Sequence, residues 1–270
     1  MKLLLVGCGN MGFAMLSGWL AGKKLTPGDV AVVEPNADLR SRAAGLGVMA
    51  VEASNALPAE TAPSLIVIAV KPQVIRDVLA DYAFFGDRPQ TTFVSIAAGA
   101  PIATFTDILG AKTPVVRCMP NTPAAIGKGM MVTFANDLVS QAALSDIRDL
   151  LSASGRVTSI DSESLMDAVT AISGSGPAYV FHFIECLTQA GEAVGLPRDT
   201  AKLLAMQTVY GAASLAAESD EEPGELRRQV TSPNGTTAAA LNVLMDGERM
   251  KTLIREAVEA ARDRGVELGK

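Results

Sequence analysis

Aromatic and histidine side chains are scarce in this sequence. Only 4% of its residues are aromatic and it has one histidine, His182, although 49% of its residues are hydrophobic. The core must therefore be built from Ala, Val, Leu, Ile and Met. A lone histidine within an apolar run is more often a core or interface residue than a catalyst. We therefore expect His182 to be buried and to take no part in chemistry.

The sequence also lacks a basic cluster, a metal-ligand spacing and a long apolar run. Its formal net charge is −6, and its three cysteines stand far apart. Nucleic acid and anionic membrane surfaces are therefore poor partners. We expect neither a disulfide framework nor a metal site, and the free thiols suit a reducing cytoplasm. No stretch approaches the roughly 20 apolar residues that a transmembrane helix needs.

Short apolar strings alternate with amphipathic stretches in the N-terminal part. Continuous apolar strings are typical of strands that are covered on both faces, as in a parallel sheet. The alternation predicts a doubly wound α/β domain over residues 1–161. The predicted strands are Leu3–Val6, Val30–Val33, Leu65–Val70, Thr92–Ile96 and Val115–Arg117, with Met130–Phe134 as a sixth candidate.

Strand signals stop after Asp161, and residues 162–270 are predicted to form an all-α domain. The run Tyr179–Leu187 is apolar nearly all round its helix. A helix with that pattern is buried on every side. Because the helical domain is small, we expect a second copy of the chain to supply part of the cover.

Gly7, Gly9 and Gly12 stand in G-x-G-x-x-G spacing within LLLVGCGNMG. The motif follows a predicted strand and opens a helix predicted from Met11, which is the context that dinucleotide binding requires. The first glycine permits a tight turn, the second lets the backbone approach a pyrophosphate, and the third lets helix and strand pack closely. The helix N-terminus attracts the phosphates.

Glu34 stands at the end of the second predicted strand. A carboxylate there can accept hydrogen bonds from the hydroxyls of the adenosine ribose. Because a carboxylate repels a 2′-phosphate, Glu34 favours NAD over NADP. Arg40 and Arg42 lie close enough in sequence to offer a phosphate clamp instead.

Three further motifs each follow a predicted strand: AVKPQ (Ala69–Gln73), SIAAG (Ser95–Gly99) and RCMPNTPAAIG (Arg117–Gly127). In an open sheet, ligands lie outside the carboxyl ends of the strands. We therefore expect Lys71 and Pro72 to flank a crevice on the nicotinamide side. The small side chains of SIAAG can admit a ring.

Pro177 interrupts a helical pattern in TAISGSGPAYVF. Proline has no N–H and clashes with the carbonyl four residues back, that of Ser173, so the helix must kink or break. The kink is either purely structural or part of a wall between the two domains.

The stretch QVTSPNGTTAAAL combines hydroxyls, a turn pair and a new helix start. Pro233 fixes one dihedral angle, and the pair Asn234-Gly235 can adopt positive φ. The first N–H groups of the helix that follows Thr236 have no internal partner and favour an anion. A small carboxylate suits this start better than a nucleotide. The alternative is a Ser/Thr helix cap that serves stability alone.

Together, VGCGNMG, AVKPQ, MPNTP, TAISGSGPAYVF and QVTSPNGTT resemble the pyrroline-5-carboxylate reductase family in order and spacing, over nearly the whole chain. The resemblance implies reduction of (S)-1-pyrroline-5-carboxylate to L-proline by hydride transfer from NADPH or NADH. It implies a Rossmann-type N-terminal domain and a helical C-terminal domain that interlocks with its mate in a dimer. In some members of the family, dimers assemble further into decamers.

The resemblance also implies roles for individual residues. The implied cofactor contacts are Gly7, Cys8, Gly9, Asn10, Met11, Gly12, Glu34, Pro35, Asn55, Ala69, Val70, Lys71, Pro72 and Ala97. The implied substrate contacts are Gln229, Val230, Ser232, Gly235, Thr236 and Thr237, of which Thr237 also faces the imine nitrogen. Asn234 stands where many members have glycine, and we expect the turn to survive because asparagine tolerates the left-handed region. Glu34 departs from the small or NADP-friendly residue of many members, which again favours NADH.

Two other function classes stay open on the sequence. A two-domain hydroxyacid dehydrogenase needs a proton donor for an alkoxide, and the helical part offers only Lys202 and His182, neither of them in a motif. A dinucleotide-sensing protein without turnover would not need the intact Thr237 loop. Imine reduction needs a protonated nitrogen and fixed geometry, so a site without a catalytic His or Asp is sufficient. The nitrogen arrives protonated or takes a proton through Thr237 or water.

Overall fold

The computed structural model describes residues 2–86 and 88–269, and the strands among them form one eight-stranded sheet. The strands are β1 Leu3–Val6, β2 Val30–Val33, β3 Met49–Val51, β4 Leu65–Ile68, β5 Thr92–Ser95, β6 Val115–Met119, β7 Gly129–Ala135 and β8 Gly155–Ser159. Their spatial order is β3-β2-β1-β4-β5-β6-β7-β8. β1 to β6 pair in parallel, whereas β7 is antiparallel to β6 and parallel to β8. The predicted doubly wound α/β architecture is confirmed.

Helices connect the strands and make up the C-terminal part. They are α1 Asn10–Ala21, α2 Ala37–Ala44, α3 Ile75–Ala80, α4 Ile102–Leu109, α5 Gln141–Ser152, α6 Met166–Val169, α7 Gly176–Ala193, α8 Arg198–Glu218, α9 Pro223–Gln229, α10 Thr236–Met245 and α11 Arg249–Leu268. A π-helical turn, Thr170–Gly174, separates α6 from α7. None of the helices in the described ranges combines the length and apolar character that crossing a bilayer demands.

The chain forms two compact units. The first comprises Met1–Ser175 together with Ala261–Lys270, and the second comprises Gly176–Ala260. The units therefore divide the chain at different places from the sequence domains predicted at 1–161 and 162–270. The end of α11 belongs to the first unit, where a Cβ placed on Gly99 would lie 3.5 Å from the Leu268 backbone.

Both faces of the sheet are covered by helices, which explains the continuous apolar strings. Successive residues of a strand point to opposite faces, so Leu3 and Leu5 join one core and Leu4 and Val6 join the other. The first core contains apolar residues of α1 and α5, and the second contains those of α3 and α4. All four β1 side chains are at most 3% exposed.

Two edge strands were not predicted. β3 and β8 close opposite ends of the sheet, and both are half-exposed rather than buried along their length. A strand that is covered on one face has no continuous apolar string, so the pattern that found the central strands cannot find these. β7 departs from the parallel pairing that continuous apolar strings are typical of, because it reverses direction in the hairpin after β6.

An asparagine clamp closes the amino end of β6. The Asn136 side chain accepts a hydrogen bond from the Val115 N–H through Oδ1 at 3.1 Å. Its Nδ2 donates to the Thr113 carbonyl at 2.9 Å. One neutral amide thus satisfies one backbone donor and one backbone acceptor at the mouth of the hairpin.

The helix that contains His182 is exposed in the single chain. Val180, Phe181 and Phe183 are 46%, 58% and 43% exposed. His182 is not a core residue of the single chain, because its side chain is 75% exposed. Its Nδ1 lies 3.1 Å from Glu185 Oε2, and its place at an interface between two copies stays a prediction. The residues that the structure describes therefore leave this apolar surface uncovered.

We expect Gly155→Ala to destabilise the first unit. Gly155 has φ of +150°, and a Cβ there would lie 1.9 Å from the Gly129 carbonyl oxygen across the β7–β8 ladder. Strain of this kind costs about 2–4 kcal/mol of unfolding free energy. Gly28→Ala is the matched control, since no described atom lies within 4 Å of the Cβ position there. Denaturant titration measures both variants, and equal midpoints would contradict the expectation.

Candidate active site

The glycine loop after β1 is shaped by close backbone contacts. Gly7 has φ of +86°, and a Cβ on it would lie 2.8 Å from the Ala69 carbonyl oxygen. A Cβ on Gly12 would lie 2.6 Å from the Gly7 carbonyl oxygen, so α1 packs directly on the loop. The Cβ position of Gly9 has no described atom within 4 Å, which leaves its backbone open to a ligand. The three glycines therefore fit a dinucleotide pyrophosphate.

Helix α1 begins immediately after the loop. Its N-cap is Gly9, and no side chain among the described residues caps it. The N–H groups of the first turn therefore stay available to an anion. Cys8 is buried, Asn10 is exposed and Met11 is half-buried at this start.

Glu34 connects the end of β2 to the glycine loop. Its side chain is buried, at 6% exposure. Oε2 accepts from the Cys8 N–H at 2.7 Å, and Oε1 accepts from the Asn36 N–H at 2.9 Å. The sequence predicted the position of Glu34 but not these two backbone bonds. A carboxylate has about four acceptor positions, so capacity for a ribose hydroxyl remains.

The two arginines after β2 lie beside the same loop. Arg40 Nη1 donates to the Glu34 carbonyl oxygen at 2.9 Å. Arg42 Nη2 donates to the Cys8 carbonyl oxygen at 3.1 Å, and its Cζ lies 4.0 Å from the centroid of the Phe13 ring. Both guanidinium groups therefore donate to backbone carbonyls, although a guanidinium has further N–H groups to offer.

Cys8 contributes neither charge nor a nucleophile at neutral pH. Burial raises the pKa of its thiol to about 11, an effect that Arg42 opposes and Glu34 reinforces. Among the described residues, no group of three or more His, Cys, Asp or Glu side chains is arranged to hold a metal ion.

The other predicted cofactor residues lie at the carboxyl edge of the sheet. They follow β2, β3, β4 and β5. Parallel pairing of β2 and β4 with β1, of β3 with β2 and of β5 with β4 puts all their carboxyl ends on one side. Ala69 donates its N–H to the Val6 carbonyl at 2.7 Å, and Ala97, 7% exposed, donates its N–H to Ser95 Oγ at 3.3 Å. The remaining members are Pro35 and Asn55, both exposed, Val70 and Pro72, both half-buried, and the exposed Lys71.

The predicted substrate stretch forms a turn between α9 and α10 in the second compact unit. Asn234 has φ of +59°, so the expected left-handed turn is confirmed. Of the pair that can adopt positive φ, only Asn234 does so, since Gly235 has φ of −82°. Its N–H donates to the Ser232 carbonyl at 3.1 Å, which closes the turn. Ser232 is exposed.

The start of α10 is open. Its N-cap is Gly235, which has no side chain, and no described side chain caps the helix. The structure thus does not contain the Ser/Thr cap that was the alternative interpretation. The N–H groups of Thr236 and Thr237 belong to a first turn that has no internal partners. Thr236 is exposed and Thr237 is half-buried.

Gln229 and Val230 end the preceding helix. Gln229 Nε2 donates to Glu221 Oε2 at 2.7 Å, so its amide hydrogen is engaged within the second unit. Val230 is 65% exposed. Both residues directly precede the turn. Among the described residues, the Gln229 side chain makes no other hydrogen bond.

The predicted interruption at Pro177 is confirmed. The π-helical turn precedes α7, which begins at Gly176 with Pro177 in its first turn. Asn121, in the MPNTP motif, donates from Nδ2 to the Ser173 carbonyl oxygen at 3.1 Å. Sequence reasoning did not identify this contact, although a proline four residues after Ser173 signals a carbonyl without a helical partner. The interpretation of this kink as a wall between domains stays a prediction.

Two family models match the chain. Residues 163–268 match pyrroline-5-carboxylate reductase dimerisation. Residues 2–99 match NADP oxidoreductase, coenzyme F420-dependent. The helical region thus matches a dimerisation family, and the glycine-loop region matches an NADP-binding oxidoreductase family.

Full-length relatives agree with both matches. Pyrroline-5-carboxylate reductase of Pseudomonas aeruginosa is 41% identical over 269 residues, which cover 100% of this chain and 97% of the relative. The structure of a pyrroline-5-carboxylate reductase from Coxiella burnetii superposes with a TM-score of 0.92 at 34% identity, covering 100% of this chain and 98% of that one. The Plasmodium falciparum pyrroline carboxylate reductase with NADP bound superposes with a TM-score of 0.87 at 30% identity, covering 100% and 98%. The chain belongs to the pyrroline-5-carboxylate reductase family.

Proposed function

We propose that this protein reduces (S)-1-pyrroline-5-carboxylate to L-proline, the last step of proline biosynthesis. The observation that carries the proposal is the open start of α10, a helix N-terminus with a glycine N-cap beside two threonine hydroxyls. It occurs in a chain that also has an intact dinucleotide loop. NADH or NADPH, when bound, supplies the hydride that the ring carbon of the C=N bond receives.

The cofactor contacts are assigned to the glycine loop and the carboxyl edge of the sheet. The open backbone at Gly9 and the uncapped start of α1 support binding of the pyrophosphate by the loop. Glu34, Pro35 and Asn55 are assigned to the adenosine ribose. Residues 69–72 and Ala97 are assigned to the nicotinamide end, because they follow β4 and β5 at the same edge.

The substrate carboxylate is assigned to the N–H groups at the start of α10. The partial positive charge of a helix N-terminus favours an anion there. Ser232 and Gly235 shape the turn, and Gln229 and Val230 lead into it. The Thr237 hydroxyl can donate or accept, so it can remain bonded to the nitrogen from iminium to amine.

The reaction needs no ionisable catalytic side chain. A protonated imine already accepts a hydride, so the residues contribute by binding and orienting the ring. The exposed His182 forms a pair with Glu185, and burial keeps the Cys8 thiol neutral. The imine proton arrives with the substrate or passes through Thr237 or water.

Glu34 supports a preference for NADH. Its buried carboxylate at the end of β2 repels a second negative charge, such as a 2′-phosphate. The two arginines that could compensate already donate to backbone carbonyls, Arg40 to that of Glu34 and Arg42 to that of Cys8.

The proposed assembly is a homodimer, with a decamer as a further possibility within the family. The apolar side chains exposed on α7 support self-association, because an isolated chain rarely leaves a large contiguous apolar surface in water. The cysteines are all free thiols, two of them buried, which supports a reducing cytoplasm as the location.

Thr237→Ala tests the assigned substrate contact. We expect the fold and NADH affinity to persist, since the glycine loop lies in the other compact unit. We expect kcat/KM for pyrroline-5-carboxylate to fall by roughly 10- to 1000-fold, the range for loss of one positioned polar group. Thr237→Ser keeps the hydroxyl and should retain most of the activity. Normal turnover of Thr237→Ala, or binding of proline at another place in a complex, would show that the assignment is wrong.

Glu34→Ser tests the proposed preference for NADH. Removing the carboxylate should shift the ratio of the NADH and NADPH specificity constants toward NADPH by about 10-fold, as expected for one charge interaction near a protein surface. Glu60→Ser, an exposed carboxylate before β4, is the control and should leave the ratio unchanged. If the wild type strongly prefers NADPH and Glu34→Ser keeps that preference, then Arg40 and Arg42 rather than Glu34 determine the choice of cofactor.

Phe181→Asp tests the proposed dimer. Light scattering at micromolar concentration should show a dimer for the wild type and a loss of mass for this variant, because a charge cannot be buried in an apolar interface without cost. Phe84→Asp is the matched control, since Phe84 and Phe181 are 57% and 58% exposed but lie in different units. A wild-type monomer with normal activity would rule the dimer out.

A further inference from the structure

The carbonyl of Ser173, in the π-helical turn Thr170–Gly174, cannot receive the hydrogen bond of a regular helix. Ser175 donates its N–H to the Thr170 carbonyl at 2.8 Å. The bond joins residues five apart, as in a π-helix, whereas an α-helical bond joins residues four apart. The carbonyl of Ser173 would ordinarily receive the N–H of residue 177, but that residue is proline. A half-buried acceptor in this position must find another donor.

Asn121 supplies that donor. Its Nδ2 lies 3.1 Å from the Ser173 carbonyl oxygen and 3.4 Å from Ser173 Oγ. Its Oδ1 accepts from the Met130 N–H at 2.8 Å. Because one neighbour is a carbonyl and the other is an N–H, only one orientation of the amide satisfies both. The side chain is thus fixed between the π-helical turn and the start of β7.

The Asn121 clamp lies at the edge of the sheet that is assigned to the nicotinamide. β6 runs parallel to β5 and ends at Met119, so Asn121 follows a carboxyl end just as Ala97 does. The turn also packs on this strand end, since a Cβ on Gly174 would lie 3.4 Å from Met119 Sδ. The 3₁₀ turn Thr122–Ile126 that follows Asn121 packs against α1. The clamp therefore lies at the end of β6, and the turn that directly follows it packs on the helix that begins at the glycine loop.

We propose that Asn121 is a positioning residue for hydride transfer, which acts by holding the π-helical turn Thr170–Gly174 against the carboxyl end of β6. Inserted π-helical turns are frequent at functional sites, where they place backbone groups that a regular helix would hide. The amide keeps Ser173 and Gly174 in place beside the nicotinamide edge without adding a charge to it. Asn121 is thus assigned an effect on the rate of transfer rather than on binding of the cofactor, which the glycine loop carries. This inference rests on the proposed function.

Asn136 provides a matched control within the same strand. It makes the same pair of backbone contacts, one accepted N–H and one donation to a carbonyl, at the amino end of β6. The two asparagines therefore differ in position, since Asn136 lies at the amino end of β6 and Asn121 follows its carboxyl end. A purely structural role would make the two asparagines equivalent.

The experiment compares Asn121→Asp with Asn136→Asp. Each substitution keeps an acceptor for the N–H and places a carboxylate oxygen against the carbonyl, so both variants should lose stability in denaturant titration. Asn121→Asp should also lower kcat by about 10- to 100-fold at a temperature well below its unfolding midpoint, the scale of a small misplacement of reacting groups. Its NADH dissociation constant, measured by fluorescence, should stay within about 2-fold of wild type. Asn136→Asp should leave kcat unchanged.

A deuterium isotope effect on kcat with NADH labelled at the transferred position adds an independent measurement. It should rise in Asn121→Asp as the transfer step becomes limiting, and stay at the wild-type value in Asn136→Asp. If Asn121→Asp does not fold, Asn121→Ala gives the same comparison without the repulsion. Equal kcat for Asn121→Asp and wild type, or equal losses in the two aspartate variants, would overturn this inference alone. Absence of proline formation by the wild type would overturn the proposed function and this inference with it.

Discussion

The contact between the Gly7 backbone and the Ala69 carbonyl is the constraint on which the N-terminal architecture depends. Only a residue without a Cβ allows it, since a Cβ would lie 2.8 Å from that oxygen. The contact brings the loop after β1 across the end of β4, which lets α1 start there and pack through Gly12. Glu34 then fastens the same loop to β2 through the Cys8 N–H. This close approach thus aligns the carboxyl ends of β1, β2 and β4. Every residue assigned to the cofactor follows one of these three strands, or follows β3 or β5.

Sequence reasoning identified those features that a local pattern determines. The buried strands β1, β2, β4, β5 and β6 were predicted because each is an apolar string, and the turn at Asn234 because few residues tolerate positive φ. β3 and β8 were not predicted, because half-exposed edge strands lack a continuous apolar string. The exposure of His182 could not be predicted, since the apolar run around it does not say whether the cover comes from the same chain.

Contacts between distant segments were the other part that the sequence could not reveal. Asn121 and Ser173 are half-buried side chains separated by several secondary-structure elements, and nothing in either local pattern indicates a partner. The same holds for the carboxylate of Glu34, whose place in a strand-end motif predicted a ribose contact but whose two observed partners are backbone N–H groups. In both cases the motif identified the correct residue, while its hydrogen bonds depended on the tertiary fold.

The return of α11 to the first compact unit has a consequence for biosynthesis. Residues from Ala261 onward complete a unit that otherwise ends at Ser175, and a Cβ on Gly265 would lie 3.1 Å from Asp167 Oδ1. On the ribosome, the sheet and its covering helices emerge long before these residues do. The nascent dinucleotide-binding domain must therefore wait, with that patch of its surface uncovered, until all of Gly176–Ala260 has been synthesised. A helical unit inserted in this way ties completion of the first domain to translation of the second.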